Sequence, residues 1–71
     1  MERNLFLKEI LAEKGIKQRF IAGKLGVSVS TVSLWAQEKT LPTLQNLKKL
    51  AQVLDVDVDL LIKGKKEWYE S

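Results

Sequence analysis

The 71-residue chain contains neither cysteine nor histidine. Without thiols no disulfide can staple the fold, and without thiolate or imidazole a zinc site would be left with carboxylates alone, so no metal is expected. The same absences remove the commonest nucleophile and general base, and no glycine-rich phosphate loop is present. The chain is therefore expected not to be an enzyme, to need no cofactor and to take no small-molecule ligand. Apolar residues never run beyond three in succession, as in Leu5-Phe6-Leu7 and Leu60-Leu61-Ile62. That is too short for a membrane span or a signal-peptide core, and the expected location is the cytoplasm.

What is present is an ordinary globular mixture, 45% hydrophobic and 30% charged. A chain of this length buries only roughly 60% of its unfolded surface, so nearly every apolar residue must serve the core. Charge is unevenly spread along a net +3. Lys14, Lys17, Arg19, Lys24 and Lys39 lie early, whereas Asp55, Asp57 and Asp59 cluster late. Such a molecule presents one end to phosphates. The three aspartates alternate as calcium ligands do, but an EF-hand's glycine and distal glutamate are missing. Capping and solvation of a helix start explain them better.

Apolar spacing predicts helix almost throughout. Leu7, Ile10 and Leu11 recur at helical intervals, giving a first helix at about residues 4–14 that Gly15 stops. Ile21, Ala22 and Leu25 repeat the pattern in a second helix ended by Gly26. The stretch from Val27 to Trp35 is rich in β-branched residues and reads partly as strand. Ser28 as an N-cap, with Val32 and Trp35 on one face, favours a third helix at about 29–37. Leu41-Pro42-Thr43 is a connector. Thr43 caps a fourth helix striped by Leu44, Leu47, Leu50, Ala51 and Leu54, and Asp59-Leu60-Leu61-Ile62 makes a short fifth. The expected fold is all-α, a compact five-helix domain over residues 1–64 with a tail at 65–71. In that tail Trp68 and Tyr69 either lie free or fold back on a neighbour.

A helix, a tight glycine turn and a Ser-capped polar helix form the unit used to read DNA, here at about 17–37. The residues Gln18-x-x-Ile21-Ala22-x-x-Leu25-Gly26-Val27-Ser28-x-Ser30-Thr31-Val32-Ser33-x-Trp35 strongly resemble the lambda repressor/Cro-like family, also called Xre-type. Leu41-Pro42-Thr43-Leu44-x-x-Leu47-x-x-Leu50-Ala51-x-x-Leu54-x-Val56 and Asp59-Leu60-Leu61 extend the resemblance, which covers about residues 5–64. It implies a lambda-repressor-like domain with the third helix in the major groove. It also implies a homodimer on a palindromic operator and a role as transcriptional regulator, a repressor by default.

Three departures stand out. The resemblance implies an ion pair between the first and third helices, yet its positions hold Leu11 and Ala36. A hydrophobic contact is expected there, with Leu11 buried. Glu38 and Asp55 stand where relatives often carry glycine at positive φ, so the turn after the third helix is expected to be reshaped. Phe20 replaces a usually polar residue. It is either an apolar spot for a partner or, the favoured reading, packed on Ala36 or the Lys39 aliphatic stem.

For DNA, the resemblance marks Gln18 as a phosphate contact, joined by Ser28 and Thr43 at helix N-termini. Lys17, Arg19 and Lys39 add charge for affinity and orientation. Ser28 and Thr43 also have a purely structural reading as caps, compatible with phosphate contact. Base reading falls to Val29, Ser30, Ser33 and Leu34 on the open face of the third helix. None of these makes a bidentate pair with a base, so moderate, A·T-leaning specificity is expected. Leu34 either meets a thymine methyl or marks weakened DNA reading. Leu41, Val58 and Leu61 are candidate dimer contacts, with core burial of Leu61 the stronger alternative. The rival function is a protein-interaction module or antitoxin-type component, for which the uncharged third helix speaks.

Overall fold

A computed structural model describes residues 5–68 of the chain. Five α-helices follow one another: α1 Leu7–Lys14, α2 Gln18–Leu25, α3 Val29–Ala36, α4 Leu44–Leu54 and α5 Val58–Lys63. A single 3-10 turn at Lys66–Trp68 follows, and no strand occurs among the described residues. The β-branched stretch after Gly26 is thus helix, for the reason its cap supplies. The Ser28 hydroxyl accepts from the Thr31 amide at 3.1 Å, and Thr43 does the same for the Asn46 amide at 3.2 Å. The first helix starts later than its apolar pattern implied. The Phe6 amide donates instead to the Leu61 carbonyl at 2.7 Å, which turns residue 6 out of helical geometry.

One device closes four of the helices. The amides of Ile16, Val27, Lys39 and Val56 donate to the carbonyls of Leu11, Ala22, Leu34 and Ala51, at 2.9, 3.1, 3.0 and 3.0 Å. Each bond reaches back five residues and requires a left-handed residue just before the donor. Those residues are Gly15, Gly26, Glu38 and Asp55, with φ of 67°, 71°, 58° and 57°. Ile16, Val27 and Val56 then pack on the core, the apolar contact that accompanies this motif. The turn after α3 is therefore not reshaped. Glu38 adopts the left-handed conformation at a cost of about 1–2 kcal/mol. Its carboxylate contributes in return, accepting from the Leu5 amide at 3.2 Å beside the start of α1, where negative charge is favoured.

The core gathers one stripe from each helix. Leu7, Ile10 and Leu11 of α1, Ile21, Ala22 and Leu25 of α2, and Val32 and Trp35 of α3 meet Leu50, Ala51 and Leu54 of α4 and Leu61 of α5. Helix α2 packs against α3 and α4, α4 against α5, and α1 against α3. Leu11 and Ala36 are both buried, as expected, and no polar or charged side chain is buried among the described residues. Where the family implies an ion pair, this chain has apolar packing. Leu61 is fully buried and its carbonyl is taken by Phe6, which corrects its candidacy as a dimer contact. No helix among the described residues is long and apolar enough to cross a membrane.

Beyond Gly64 the chain folds back on the N-terminal segment, so the fold runs further than the sequence implied. The Trp68 ring stacks on Phe6 with centroids 5.7 Å apart and planes 27° apart. Lys65 Nζ lies 2.8 Å from Glu13 Oε1 and 5.4 Å from the centre of the Trp68 ring. The hydrogen bond to Glu13 raises the Lys65 pKa above its ordinary value. Gly64 makes this reversal possible. Its φ of 69° and ψ of −171° lie in a region essentially confined to glycine, and the Phe6 ring sits against its Cα. Tyr69 falls outside the described residues.

Candidate nucleic-acid interface

Helix α3 buries Val32, Trp35 and Ala36, so its opposite face is left open. On that face Val29, Ser30 and Leu34 are exposed, Leu34 at 37%, and Ser33 is half-buried. The four predicted base readers therefore share one surface. Gln37, one turn past Ser33 at the C-terminal edge of this face, is exposed and donates from Nε2 to Ser33 Oγ at 2.9 Å. Sequence reading passed over Gln37. Its four-residue spacing from Ser33 was the available signal. The amide makes Ser33 an acceptor at that bond, which leaves its O–H free to donate outward.

The predicted phosphate grips bracket α3 from both ends. At its start, Ser28 Oγ accepts from the Thr31 amide and lies 2.8 Å from Thr31 Oγ1. The Val29 and Ser30 amides open the helix without intrahelical acceptors. At the other end, the first residue of α2 comes alongside. Gln18 lines a cleft with Ser33, Ala36, Gln37 and Glu38, and with Lys8 and Glu9 of α1. Lys17 is the residue before α2, extended at φ −88° and ψ 149°, with no side-chain bond to cap the helix. The first amides of α2 thus face outward with the partial positive charge of a helix N-terminus. Helix α4 opens behind exposed Thr43, whose hydroxyl caps the Asn46 amide as Ser28 caps that of Thr31.

The remaining predicted residues divide between surfaces. Lys39 is exposed in the turn after α3. Lys17 and Arg19 are exposed, and line a shallow dish with Gly15, Ile16 and Phe20, not the cleft holding Gln18. Phe20 does not pack inward: it is 49% exposed, with Lys24 Nζ 5.4 Å from the centre of its ring. Leu41 is exposed on the connector between α3 and α4. Val58 is half-buried in a groove with Lys48, Lys49, Asp55 and Asp57, none of which lines the cleft beside α3. Chemically, α3 offers hydroxyl donors, one amide side chain and apolar patches, flanked by cations and free backbone N–H groups. That set suits base edges in a groove and the phosphates beside it.

Comparison with known proteins agrees with this geometry. A family model described as helix-turn-helix matches residues 7–61. Over 64 residues, 90% of the chain, the sequence is 31% identical to the HTH-type transcriptional activator BcrR of Enterococcus faecalis, and it spans only 31% of that protein's length. A crystal structure of a candidate DNA-binding protein from Bacteroides fragilis superposes with a TM-score of 0.82 at 38% identity, covering 84% of this chain and 97% of that one. The P22 c2 repressor, solved in complex with a synthetic operator, superposes with a TM-score of 0.74 at 29% identity, covering 89% of this chain and 100% of that one.

Proposed function

The chain belongs to the helix-turn-helix family of the lambda repressor/Cro type, and from that premise we propose that it is a transcriptional regulator, binding double-stranded DNA with α3 in the major groove. The observation that carries the reading is the open face of α3, bracketed by the Gln18 and Ser28 helix starts. Val29, Ser30, Ser33 and Leu34 read base edges there, with Gln37 able to reach the same groove. Lys17, Gln18, Arg19, Ser28, Lys39 and Thr43 hold phosphates. Repression by occupying an operator needs only these DNA contacts, and the reading takes that form.

The same reading includes a two-fold dimer on a palindrome. Its support is the groove between α4 and the start of α5. Lys48, Lys49, Asp55 and Asp57 all line it. Among the described residues none of these four charges is held in an ion pair. Asp57 precedes α5 without a side-chain bond to cap it, so its carboxylate is available outward. A two-fold axis through the groove lets the lysines of one copy pair with the aspartates of the other twice over, as an isologous interface requires. Exposed Leu41 and half-buried Val58 are the apolar candidates.

The test is selection of duplexes from a random DNA pool, with titration of the winner in salt. A palindrome is expected. Three cations per protomer give a log–log salt slope of about −5 for the dimer. No enriched motif, with feeble binding even at low salt, would refute base reading by α3.

A further inference from the structure

Helix α2 has an outer face on which Phe20, Gly23 and Lys24 serve neither the core nor the proposed phosphate sites. Ile21, Ala22 and Leu25 point inward, while Phe20, Gly23 and Lys24 are exposed. Among the described residues no aromatic side chain is more open to water than Phe20, and the Lys24 ammonium lies 5.4 Å from the centre of its ring. Gly23 needs no glycine for the fold. It sits inside a helix without a positive φ, and an added Cβ would meet nothing within 4 Å. A helix-interior glycine destabilises relative to alanine, so here it leaves bare backbone one turn from Phe20 with no structural return. Gly15, which its positive φ at the end of α1 already explains, also has an empty Cβ position and lies beside Phe20 in the dish lining. The ring therefore stands in a shallow dish, floored by half-buried Ile16.

The dish carries charge of one sign. Lys17 and Arg19 line it and Lys24 covers the ring, with no carboxylate among the lining residues. Among the described residues none of these three cations is in an ion pair.

We propose that this outer face of α2 docks an acidic segment of a protein partner, which places an apolar side chain beside Phe20 and its backbone against Gly23. A phosphate backbone satisfies the cations but offers no apolar surface to the ring, whereas an acidic segment with an apolar anchor satisfies both. The glycine platform fits close approach by a peptide backbone. Lys17 and Arg19 are shared with the proposed phosphate contacts, so peptide and DNA compete for those two cations, whereas Phe20, Gly23 and Lys24 belong to the docking surface alone.

The experiment selects displayed random dodecapeptides on the whole chain, synthesises the consensus and maps its contacts by amide chemical shifts. The expected consensus has carboxylates flanking an apolar residue, and the shifts concentrate at residues 15–24. Phe20→Ala weakens the peptide about tenfold or more, a loss of one decade in Kd, and leaves the DNA salt titration unchanged. Gly23→Ala raises the thermal midpoint yet weakens the peptide, a pairing that general destabilisation cannot produce. Absence of an acidic–apolar consensus, or shifts away from α2, overturns the proposal. So does loss of DNA affinity in Phe20→Ala, which assigns the ring to the DNA interface. Failure to bind DNA at all, with the peptide still held at α2, sinks the DNA reading alone.

Discussion

Adding one methyl at Gly64 is expected to damage this protein out of proportion to its size. The alanine would inherit φ 69° and ψ −171°, a conformation that costs about 1–3 kcal/mol for a residue with a Cβ. The new Cβ would also lie 2.7 Å from Cγ of Phe6 and 2.8 Å from both Cδ atoms. Phe6 is buried and its amide is tied to Leu61, so the ring yields only by leaving Trp68. Loss of that stack adds about 0.5–1.5 kcal/mol. Together the two effects come to about 2–4 kcal/mol, against a total stability of about 4–10 kcal/mol for a chain of this length. At about 4–8 °C per kcal/mol the thermal midpoint falls by about 10–30 °C. Urea denaturation followed by circular dichroism measures the loss, and tryptophan fluorescence reports the stack. Gly23→Ala is the control, because the same methyl in open helix is expected to stabilise by about 0.5–1 kcal/mol. Gly26→Ala, strained in backbone alone, should cost about 1–2 kcal/mol. If Gly64→Ala is no worse than Gly26→Ala, the account of the Phe6–Trp68 closure is wrong.

Three other perturbations separate local from tertiary causes. Glu38→Ala keeps the left-handed strain and deprives the Leu5 amide of that acceptor, so it should cost about 1–3 kcal/mol in urea denaturation. Glu38→Gly lacks the carboxylate too but relieves the strain, so it should be milder; equal costs would deny the left-handed strain a role. Lys48→Glu and Asp57→Lys should each be monomeric by analytical ultracentrifugation, while their equimolar mixture forms heterodimers. A mixture that stays monomeric rules out the groove as the dimer interface. Leu34→Ala should leave the urea midpoint nearly unchanged, since the side chain is already partly exposed. It should relax selection at one base pair by about 1–3 kcal/mol, and an unaltered selected motif would remove Leu34 from base reading.

The path from sequence to fold was short wherever the signal was local. Gly15 and Gly26 mark helix ends because a left-handed residue is needed within a few positions of the last turn. Ser28 and Thr43 mark helix starts because a hydroxyl reaches an amide only three residues away. The 3.6-residue period placed Ile21, Leu25, Val32, Trp35, Leu50 and Leu54 in the core before any coordinate was needed. The open face of α3 was legible by the same arithmetic, though Gln37, at the edge of the helix, was not.

What the sequence left open joins residues far apart in the chain. Glu38 holds the Leu5 amide across 33 positions, and Lys65 meets Glu13 across 52. Gly64 and Trp68 gain their meaning only once α5 has brought them to Phe6. Phe20 was expected to rest on Ala36 or the Lys39 stem, with a partner contact as the alternative; it stands half open because Ile21, Ala22 and Leu25 fill the inward stripe of the same helix. By itself the sequence determined the five helices, their caps and their buried stripes, since hydrogen bonds and periodicity act within a turn or two. Only the tertiary structure decided that Leu61 is core and Phe20 surface, and that the chain closes on itself after Gly64. Those outcomes depend on which side chains the packed helices leave room for.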